Sequence, residues 1–459
     1  MTLIPVAADG ATDASAAINA ALADPGTTTV ELPAGVIALG SAIVIPSGKM
    51  LIGAGRELTM LLALPSFRHN AIVASVPRAA GVAVHDLTID ANRIGGGGPA
   101  GARVNGLQMS YARRFTVRRV DVRNCTGYAH IAVGNTRDFS EMAGDGTWED
   151  CRAANCQVHF AQVYSENISL ISCHSRDGEG DIACLAWFHP AIGARDILYL
   201  GGSARGLTSA GIEATASARD LERIRFIGCD VHVRGPGAAL STTAGMGKVS
   251  RLELIGTRLV SDGGTGARLY RTEAFATQSW ISGAGAGLQL RDSSKAVAVG
   301  VEALGITDPV DGATAIGIDI DATSRASWTG GRIEGRGPAG KRVPLAGYVA
   351  NVTLSGTTEV AGRARYFPVM ESYGVRPIVH QGASTSSVTV ALPNPVTDRE
   401  RTHLSFTIRR NSDGYLADRV TGSWAFVDDR NVRVWLIGDA TLATRAKLCV
   451  HFVEWGERS

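Results

Sequence analysis

The sequence lacks an excess of either charge, and this excludes a whole class of partner. Its 459 residues carry 45 Lys and Arg against 43 Asp and Glu, a formal net charge of +2. Binding along the phosphates of a nucleic acid needs a dense basic surface, which this balance does not provide. We therefore expect no nucleic acid among the partners.

Long apolar stretches are missing as well. No run approaches the roughly 20 apolar residues that a membrane-spanning helix requires. No Lys or Arg precedes Lys49, so the basic region of a secretory signal peptide is also absent. These two absences predict no insertion into a membrane, and assembly in the cytoplasm of the producing bacterium.

Cysteine and histidine do not occur in metal-binding patterns. The seven cysteines include no CxxC pair, and the sequence has no HExxH motif. The odd number of cysteines and their position in apolar segments predict buried free thiols. We expect neither a metal nor a cofactor, with a bound calcium ion as the one alternative left open.

What the sequence does contain is short strands separated by Gly and Pro. Asp9–Leu22 has the apolar stripe of a short helix, which Thr12 or Asp13 would cap. The strands that follow end in turns such as Pro33–Gly35. This pattern predicts an all-β fold in which residues 1–55 form an N-terminal capping helix and the first coils.

A loose repeat then continues through most of the chain. Strand-like segments align at Ile168, Ile197, Ile224 and Leu252, with steps of 29, 27 and 28 residues. Such a period marks a solenoid, in which each unit buries its apolar side only by stacking on its neighbours. Because the units contain strands and no helical periodicity, we predict a parallel β-helix over residues 1–365.

Three cysteines occupy equivalent places in that repeat. Cys151, Cys173 and Cys229 each follow a strand-like segment at a similar distance. An interior ladder of small side chains would place them one above another. The repeat therefore explains these cysteines without a redox role.

The pattern changes near residue 375. Residues 366–384 form the predicted junction, and from Ser387 onward apolar and polar residues alternate strictly, as in Leu404, Phe406 and Ile408. Alternation of this kind with short connections is typical of antiparallel strands. We predict a small C-terminal antiparallel sheet or sandwich over residues 385–459.

The first 95 residues resemble the pectate-lyase-like right-handed parallel β-helix superfamily, which includes phage tailspikes. The resemblance rests on DGATDASAAINAAL (Asp9–Leu22), VELPAGVIAL (Val30–Leu39), IVIPSGKMLIGAG (Ile43–Gly55) and HDLTIDAN (His85–Asn92). It implies the β-helix fold strongly and an activity only weakly, because the superfamily contains lyases, hydrolases, epimerases and binding proteins. For a tailspike-type member it also implies a homotrimer.

The densest acidic cluster suggests where chemistry would take place. Asp177, Glu179 and Asp181 alternate with glycines in a turn, and Glu213 follows about one coil later. Strands about 4.8 Å apart would bring Asp181 and Glu213 to roughly 8 Å from each other. A pair of carboxyl groups about 6.5–9.5 Å apart suits inverting glycoside hydrolysis. Asp177, Asp181 and Glu213 are the candidate catalytic residues, and the alternative is a polar turn with a solvent-facing Glu.

Aromatic and histidine side chains near this cluster are candidates for sugar binding. Ala186–Pro190 is interpreted as a loop beside the acidic turn, and it contains Trp187 and His189. We expect both of these, with His130 and Glu179, to contact a saccharide, since large aromatics with a polar edge stack well on sugars. The arrangement depends on Ile131, Ile182 and Ile212 forming one inward column.

Two functions are favoured by the sequence, and a third reading, a structural spacer without a sugar site, stays open. The first is a virion-associated spike or fibre of a phage or a gene transfer agent, which binds the capsule or lipopolysaccharide of bacteria. Such a protein contacts other subunits of the particle, and it either cleaves the polysaccharide as a depolymerase or only binds it. The second is a free polysaccharide lyase or glycoside hydrolase. The NTD, GHG and RIK triplets typical of the superfamily's polygalacturonases are absent, which favours the first.

Overall fold

The chain winds into stacked coils, and each complete coil contains three short strands. The computed structural model describes residues 2–92, 103–176, 183–243, 245, 247–306, 315–336, 342–348, 351–355, 359–360 and 364–365, and five strands beyond residue 384. Neighbouring coils are joined by parallel strand pairing, so the strands form three long faces, which we name A, B and C in chain order within a coil. The predicted fold class, an all-β right-handed parallel β-helix, is confirmed.

Face A is a twelve-stranded parallel sheet among the described residues. Its strands pair in order along the chain, each with the strand one coil before and one coil after it. The strands are Ile43–Ile45, Ala71–Ser75, Asn105–Ser110, Tyr128–Val133, Val158–Val163, Ala186–Ala191, Ala210–Thr215, Ala238–Thr243, Ala267–Tyr270, Ala286–Arg291, Ala315–Ile320 and Arg342–Gly347.

Faces B and C are continuous with each other, because two strands, Ala83–Asp90 and Thr116–Arg123, bend from one face into the other. The other strands of face B are Thr2–Leu3, Thr29–Glu31, Met50–Ile52, Ala143–Glu149, Ser165–Ile171, Arg195–Leu200, Leu221–Ile227, Val249–Ile255, Thr272–Thr277, Lys295–Val299, Arg325–Thr329 and Val352–Ser355. The other strands of face C are Asp9–Asp13, Gly35–Leu39, Thr59–Ala63, Arg152–Ala154, His174–Arg176, Ser203–Gly206, Asp230–Val233, Arg258–Ser261, Trp280–Ala284, Glu302–Ile306, Arg332–Arg336, Glu359–Val360 and the antiparallel Ala364–Arg365.

The predicted repeat is confirmed residue by residue on face B. Ile168 pairs with Ile197, Ile197 with Ile224, and Ile224 with Leu252. All four side chains are buried in the core. Each of these side chains therefore covers the one in the coil below it. In this way a solenoid buries apolar surface through contacts between neighbouring coils alone.

The corner between faces B and C is a tight bend with a left-handed residue in each coil. Gly201 and Gly228 have φ of 65° and 62° there, and Asp150 and Ser172 take φ of 50° and 51° in the preceding coils. Glycine has no Cβ to oppose this conformation, whereas Asp and Ser adopt it at some cost. The next residue turns into the core, so the bend determines which side chain enters the interior.

The predicted cysteine ladder follows from that bend. Cys151, Cys173 and Cys229 each come directly after the left-handed residue, and all three are buried. Gly202 occupies the same place in the coil between Cys173 and Cys229. The six cysteines whose side chains are described are buried and form no disulfide.

The N-terminal helix comprises Ser15–Ala23 and covers the open end of the first coils with Ile18 and Leu22. The residue before it is Ala14, so neither Thr12 nor Asp13 is the N-cap as expected. Asp13 instead accepts hydrogen bonds from the Ser15 and Gly40 backbone amides, both at 2.9 Å. Its carboxylate thereby ties the helix start to the next coil. Burial raises the pKa of this carboxyl group, but hydrogen bonds from the Ser15 hydroxyl and from these two amides lower it below the ordinary value.

Five further strands lie beyond residue 384, all in antiparallel pairs. Asn431–Ile437 lies between Thr385–Ala391 and Thr421–Phe426, and Thr402–Arg410 pairs with Ala446–Glu454. The predicted C-terminal antiparallel strands are therefore present. The boundaries at residues 365 and 384 stay predictions.

Candidate functional site

The outer surface of face A carries one aligned row of side chains, one from each of nine successive coils. Phe160, Phe188 and Ile212 point into the core, so the residues that follow them point outward. We name these outward residues the face-A row. In chain order they are Gln108, Ile131, Ala161, His189, Glu213, Ser241, Arg268, Gln289 and Asp319.

His189 and Glu213 form the centre of this row. The His189 Nδ1 lies 3.6 Å from the Glu213 Oε2, and the two side chains are 15% and 28% exposed. Burial lowers the pKa of His189 to about 4, against a weaker opposite effect of the Glu213 backbone. Burial alone raises the pKa of Glu213. Although the distance is that of an ion pair, burial disfavours both charges, so at neutral pH the imidazole is uncharged beside a carboxyl group that holds its proton more tightly than usual.

An apolar patch lies on the coils before His189. Ile131, Val158, Ala161 and Val163 point outward, are at most 8% exposed and form a cluster with Ala191 that is separate from the core of the solenoid. These side chains cannot make hydrogen bonds. They pack against one another and leave little apolar surface accessible next to the polar pair.

Hydroxyl groups lie on the coils that follow. Thr215 pairs with Thr243 in register, two positions along their strands from Glu213 and Ser241. Both threonine hydroxyl oxygens are buried, and neither has a hydrogen-bond partner among the described residues. A buried hydroxyl without a partner costs about 1–3 kcal/mol. Such groups gain free energy when a ligand or a water supplies the missing bond.

Charged side chains continue the row toward the C-terminus. The Arg268 Nε donates to the Gln289 Oε1 at 3.1 Å, and Arg291 forms an ion pair with Asp319. Asp319 and Glu213 are the outward carboxyl groups among the described strands of face A, and four strand spacings, about 19 Å, separate them. Two carboxyl groups so far apart do not form a hydrolytic pair, which requires at most about 9.5 Å.

A loop at the edge between faces A and B rims the apolar patch. It comprises residues 134–142, and Phe139 anchors it. The Tyr164 hydroxyl donates to the Phe139 carbonyl, and the Arg219 guanidinium lies 4.5 Å from the centre of the Phe139 ring. A cation over an aromatic face is attracted by the ring's quadrupole, so the loop is held at two points.

Two of the predicted saccharide contacts are wrong. Trp187 and His130 are fully buried in the interior. The His130 ring stacks on Phe160 with 4.8 Å between centroids, and its Nε2–H donates to the Arg152 carbonyl at 3.1 Å. Ala186–Ala191 is a strand of face A and not a loop, and its second and third residues, Trp187 and Phe188, are both buried in the core.

The predicted column of isoleucines is also wrong. Ile131 pairs with Ala161 and Ala161 with His189, so Ile131 belongs to the outward face-A row. Ile212 pairs with Phe188 and points inward. Ile182, Asp177, Glu179 and Asp181 lie outside the described residues, in the connection before Ala186–Ala191, so their part of the proposed site stays a prediction.

Of the predicted site residues, the structure brings His189 and Glu213 together. Sequence reasoning missed Thr215, Ser241, Thr243 and Arg268. The repeat contained the signal, since Ser241 follows Glu213 by 28 residues and Arg268 follows Ser241 by 27. Had the register been counted from Glu213 through the later coils, the row would have been found.

Two other kinds of site can be assessed within the described part of the chain. No three His, Cys, Asp or Glu side chains lie close enough there to hold a metal ion. No helix in that part has the length and apolar character needed to cross a membrane.

Part of the chain matches a known protein family. Residues 5–175 match the family described as rhamnogalacturonase A/epimerase, pectate lyase-like. No curated protein matches the sequence at a significant level.

Solved structures match the fold over most of its length. The A-module of the mannuronan C-5 epimerase AlgE4 of Azotobacter vinelandii is 18% identical, with a TM-score of 0.54 over 78% of this chain and 97% of that chain. The N-terminal fragment of gene product 12 of bacteriophage phi29 is 15% identical, with a TM-score of 0.54 over 77% and 69%. The adhesin PfbA of Streptococcus pneumoniae is 12% identical, with a TM-score of 0.52 over 80% and 94%. The chain thus shares the parallel β-helix fold of these structures, and its residues 5–175 match a pectate-lyase-like family.

Proposed function

We propose that the face-A row binds an extended polysaccharide. The observation that carries this proposal is the pair of buried hydroxyl groups, on Thr215 and Thr243, that lack a hydrogen-bond partner among the described residues. They lie beside Ser241 and Glu213 on a surface that repeats once per coil. A ligand that supplies hydrogen bonds at each repeat removes the cost of leaving these hydroxyls unpaired.

The chemistry of the row fits a sugar polymer better than a peptide or a lipid. Strand spacing repeats the side chains about every 4.8 Å, close to the length of one sugar unit in an extended chain. A hydroxyl, a guanidinium and an amide group follow one another along it, at Ser241, Arg268 and Gln289.

The biological setting that we propose is a spike or fibre of a phage-like particle. In this role the polysaccharide is the capsule or lipopolysaccharide of a bacterial host, and the protein works as a homotrimer attached to other particle subunits. The support is the fold, which this chain shares with a phage gene product and with a bacterial surface adhesin. Purified particles from the producing cell should then contain a 47.9 kDa chain of this sequence.

Removing the two threonine hydroxyls tests the binding site. We expect Thr215→Val with Thr243→Val to weaken binding to a polysaccharide found on a glycan array by about ten- to thirtyfold, since each lost hydrogen bond costs about 1 kcal/mol. Thr277→Val is the matched control, because Thr277 is exposed on face B. Equal affinity of the double variant and the control would place the binding site elsewhere.

The His189–Glu213 pair favours a second candidate function, a polysaccharide lyase. An uncharged imidazole and a carboxyl group of raised pKa, 3.6 Å apart, can take up and return a proton. A glycoside hydrolase would need a second carboxyl group, and Asp177 or Asp181 would have to supply it.

Glu213→Gln separates binding from turnover. If the protein cleaves the polysaccharide that it binds, we expect turnover to fall by about a hundredfold or more while affinity changes less than about threefold, since the proton is exchanged only during reaction. Product release is measured by mass spectrometry, and Glu273→Gln, an exposed position on face B, is the control. If the wild-type protein releases no product and Glu213→Gln binds normally, the lyase function is excluded and binding is the function that remains.

A further inference from the structure

Arg219 places its guanidinium at the edge between faces A and B without a carboxylate partner. It lies in residues 216–220, which connect the face-A strand Ala210–Thr215 to the face-B strand Leu221–Ile227. The guanidinium carbon is 4.5 Å from the centre of the Phe139 ring, and the side chain forms no ion pair or hydrogen bond with any described residue. Its N–H donors are therefore open to a ligand.

Two carboxylates on the same edge have other partners. The Asp220 Oδ1 accepts a hydrogen bond from the Lys248 amide at 2.9 Å. The Glu141 carboxylate accepts from the Arg78 Nε at 2.7 Å. Because a guanidinium does not lose its proton in a protein, Arg219 keeps its charge and its five donors. This combination favours an external acceptor.

The Arg219 side chain is also held in a fixed position. Gly193 lies one coil earlier with φ of 74°, and a Cβ there would lie 2.9 Å from the Tyr164 Cδ2 and 3.2 Å from the Arg219 Cβ. Glycine at this position therefore leaves the room through which Arg219 reaches back to Phe139. The Phe139 and Tyr164 rings meet edge to face with 5.1 Å between their centres. A group fixed in this way loses little conformational entropy when it binds a ligand.

The downstream ends of the face-A strands continue this edge. Thr215 and Thr243, whose hydroxyl groups have no partner among the described residues, are the last residues of successive strands. Tyr270 ends the next strand, two positions after the outward Arg268, so it points outward as well, and it is half-buried. We name Arg219, Thr215, Thr243 and Tyr270 the edge group.

We propose that the polysaccharide crosses the edge group, with Arg219 as its specificity-determining contact and Tyr270 as the platform for one sugar ring. This inference rests on the proposed function and adds the chemistry by which the ligand is recognised. A guanidinium presents two parallel N–H donors, which match two neighbouring acceptor oxygens on one sugar residue. Two adjacent hydroxyl groups provide such a pair, and so does an acid group.

The spacing of the edge group suits consecutive sugar units. Thr215, Thr243 and Tyr270 lie on three successive strands, so two strand spacings, about 10 Å, separate the first from the third. The threonine hydroxyls gain the hydrogen bonds that they lack, and the tyrosine ring offers an apolar face to the C–H groups of a sugar. A cation, two hydroxyls and an aromatic ring thus follow one another along the edge.

Arg219→Lys separates contact with the ligand from a structural role. Lysine keeps a cation over the Phe139 ring but lacks the planar fork. We expect Arg219→Lys and Arg219→Gln each to weaken binding to the polysaccharide found on the glycan array by about tenfold, since a bidentate charge-assisted contact is lost. Arg325→Gln, at an exposed position on face B, is the control. Wild-type affinity of Arg219→Lys would mean that Arg219 only holds the loop of Phe139, and would overturn the proposal.

Salt distinguishes the two sources of the acceptor oxygens. The affinities of the wild-type protein and of Arg219→Gln are compared at about 50 mM and about 500 mM NaCl, because salt screens the attraction between charges. If the oxygens belong to an acid group, the difference between the two affinities should shrink severalfold at the higher concentration. If they belong to two hydroxyl groups, the difference should persist. No difference at either concentration would contradict a contact through Arg219.

Tyr270 is tested by the loss of its ring. We expect Tyr270→Ala to weaken binding by about tenfold and Tyr270→Phe to stay within about threefold of wild type, because the ring and not the hydroxyl makes the stacking contact. Tyr348→Ala is the matched control, since Tyr348 is 59% exposed and lies three coils further along the solenoid. If Tyr270→Ala binds as tightly as Tyr348→Ala, the edge group is not the site.

The same titrations separate this inference from the proposed function. If Thr215→Val with Thr243→Val loses affinity while Arg219→Lys and Tyr270→Ala keep it, the recognition by Arg219 and Tyr270 is wrong and the proposed binding surface stands. If all of these variants bind as tightly as wild type, the proposed function is wrong as well. Circular dichroism of each variant should match that of the wild-type protein, which shows that the losses arise at the binding surface.

Discussion

Replacing Trp187 with alanine should destabilise the protein by about 3–5 kcal/mol and leave the affinity of the folded fraction for polysaccharide unchanged. Trp187 is fully buried in the core, and its removal leaves a cavity that the stacked coils above and below cannot close. The change therefore acts on the free energy of unfolding. Denaturant unfolding followed by circular dichroism gives the stability, and titration at low temperature gives the affinity.

Trp280→Ala is the matched control for this experiment. Trp280 lies on face C between Arg258 and Glu302 and is only half-buried. Its removal opens no core cavity, so we expect a loss of about 1 kcal/mol or less. A Trp187→Ala protein that is as stable as wild type but binds polysaccharide weakly would return Trp187 to the binding surface and contradict its buried position.

Acid should destabilise the solenoid well above the pH at which most carboxylates titrate. Burial lowers the pKa of His130 to about 4 and that of His159 to about 3, from an ordinary value of 6.5. In the unfolded chain both histidines take up a proton near pH 6.5, whereas in the folded chain they stay neutral down to pH 4 or below. The contribution of these two histidines to the free energy of unfolding is therefore constant above pH 7 and falls by up to about 1.4 kcal/mol per pH unit for each of them between pH 6.5 and pH 4.

His159→Leu isolates one of these two protons. The His159 ring is fully buried, and neither of its nitrogens forms a well-shaped hydrogen bond among the described residues. Leucine has a similar volume, so stability at pH 8 should change by less than about 1.5 kcal/mol. Between pH 6.5 and pH 4, the slope of the free energy of unfolding against pH should decrease by the amount that corresponds to about one bound proton. His69→Leu, at an exposed position, is the control, and equal pH dependence of both variants would contradict a buried neutral His159.

The repeat made much of the fold predictable from particular residues. Ile168, Ile197, Ile224 and Leu252 are spaced by one coil, and each pairs with the next on face B. Cys173 and Cys229 fall at the predicted interior ladder for the same reason. In a solenoid, neighbours in space are neighbours in the repeat, so spacing along the chain directly predicts contact.

Prediction failed where the two faces of a strand had to be told apart. Ala186–Ala191 contains Trp187, Phe188 and His189 in succession, and two of these three side chains point into the core. Regular alternation allows only every second residue to point inward. The second and third residues of this strand, Trp187 and Phe188, both point inward and break the alternation, so Trp187 is buried at a position where a period of two predicts exposure.

By itself the sequence determined the architecture: strands repeated about every 28 residues, a short helix at the N-terminal end, and alternating strands after residue 384. These follow from local apolar patterning, which stacking converts into a core. Only the tertiary structure decided which side of each strand faces outward, because the bends of the coil determine which residues of a strand point inward. It thereby separated the buried His130 and Trp187 from the outward, half-buried pair His189 and Glu213. It also aligned Ser241, Arg268 and Gln289 on face A, whose common row depends on the register between coils.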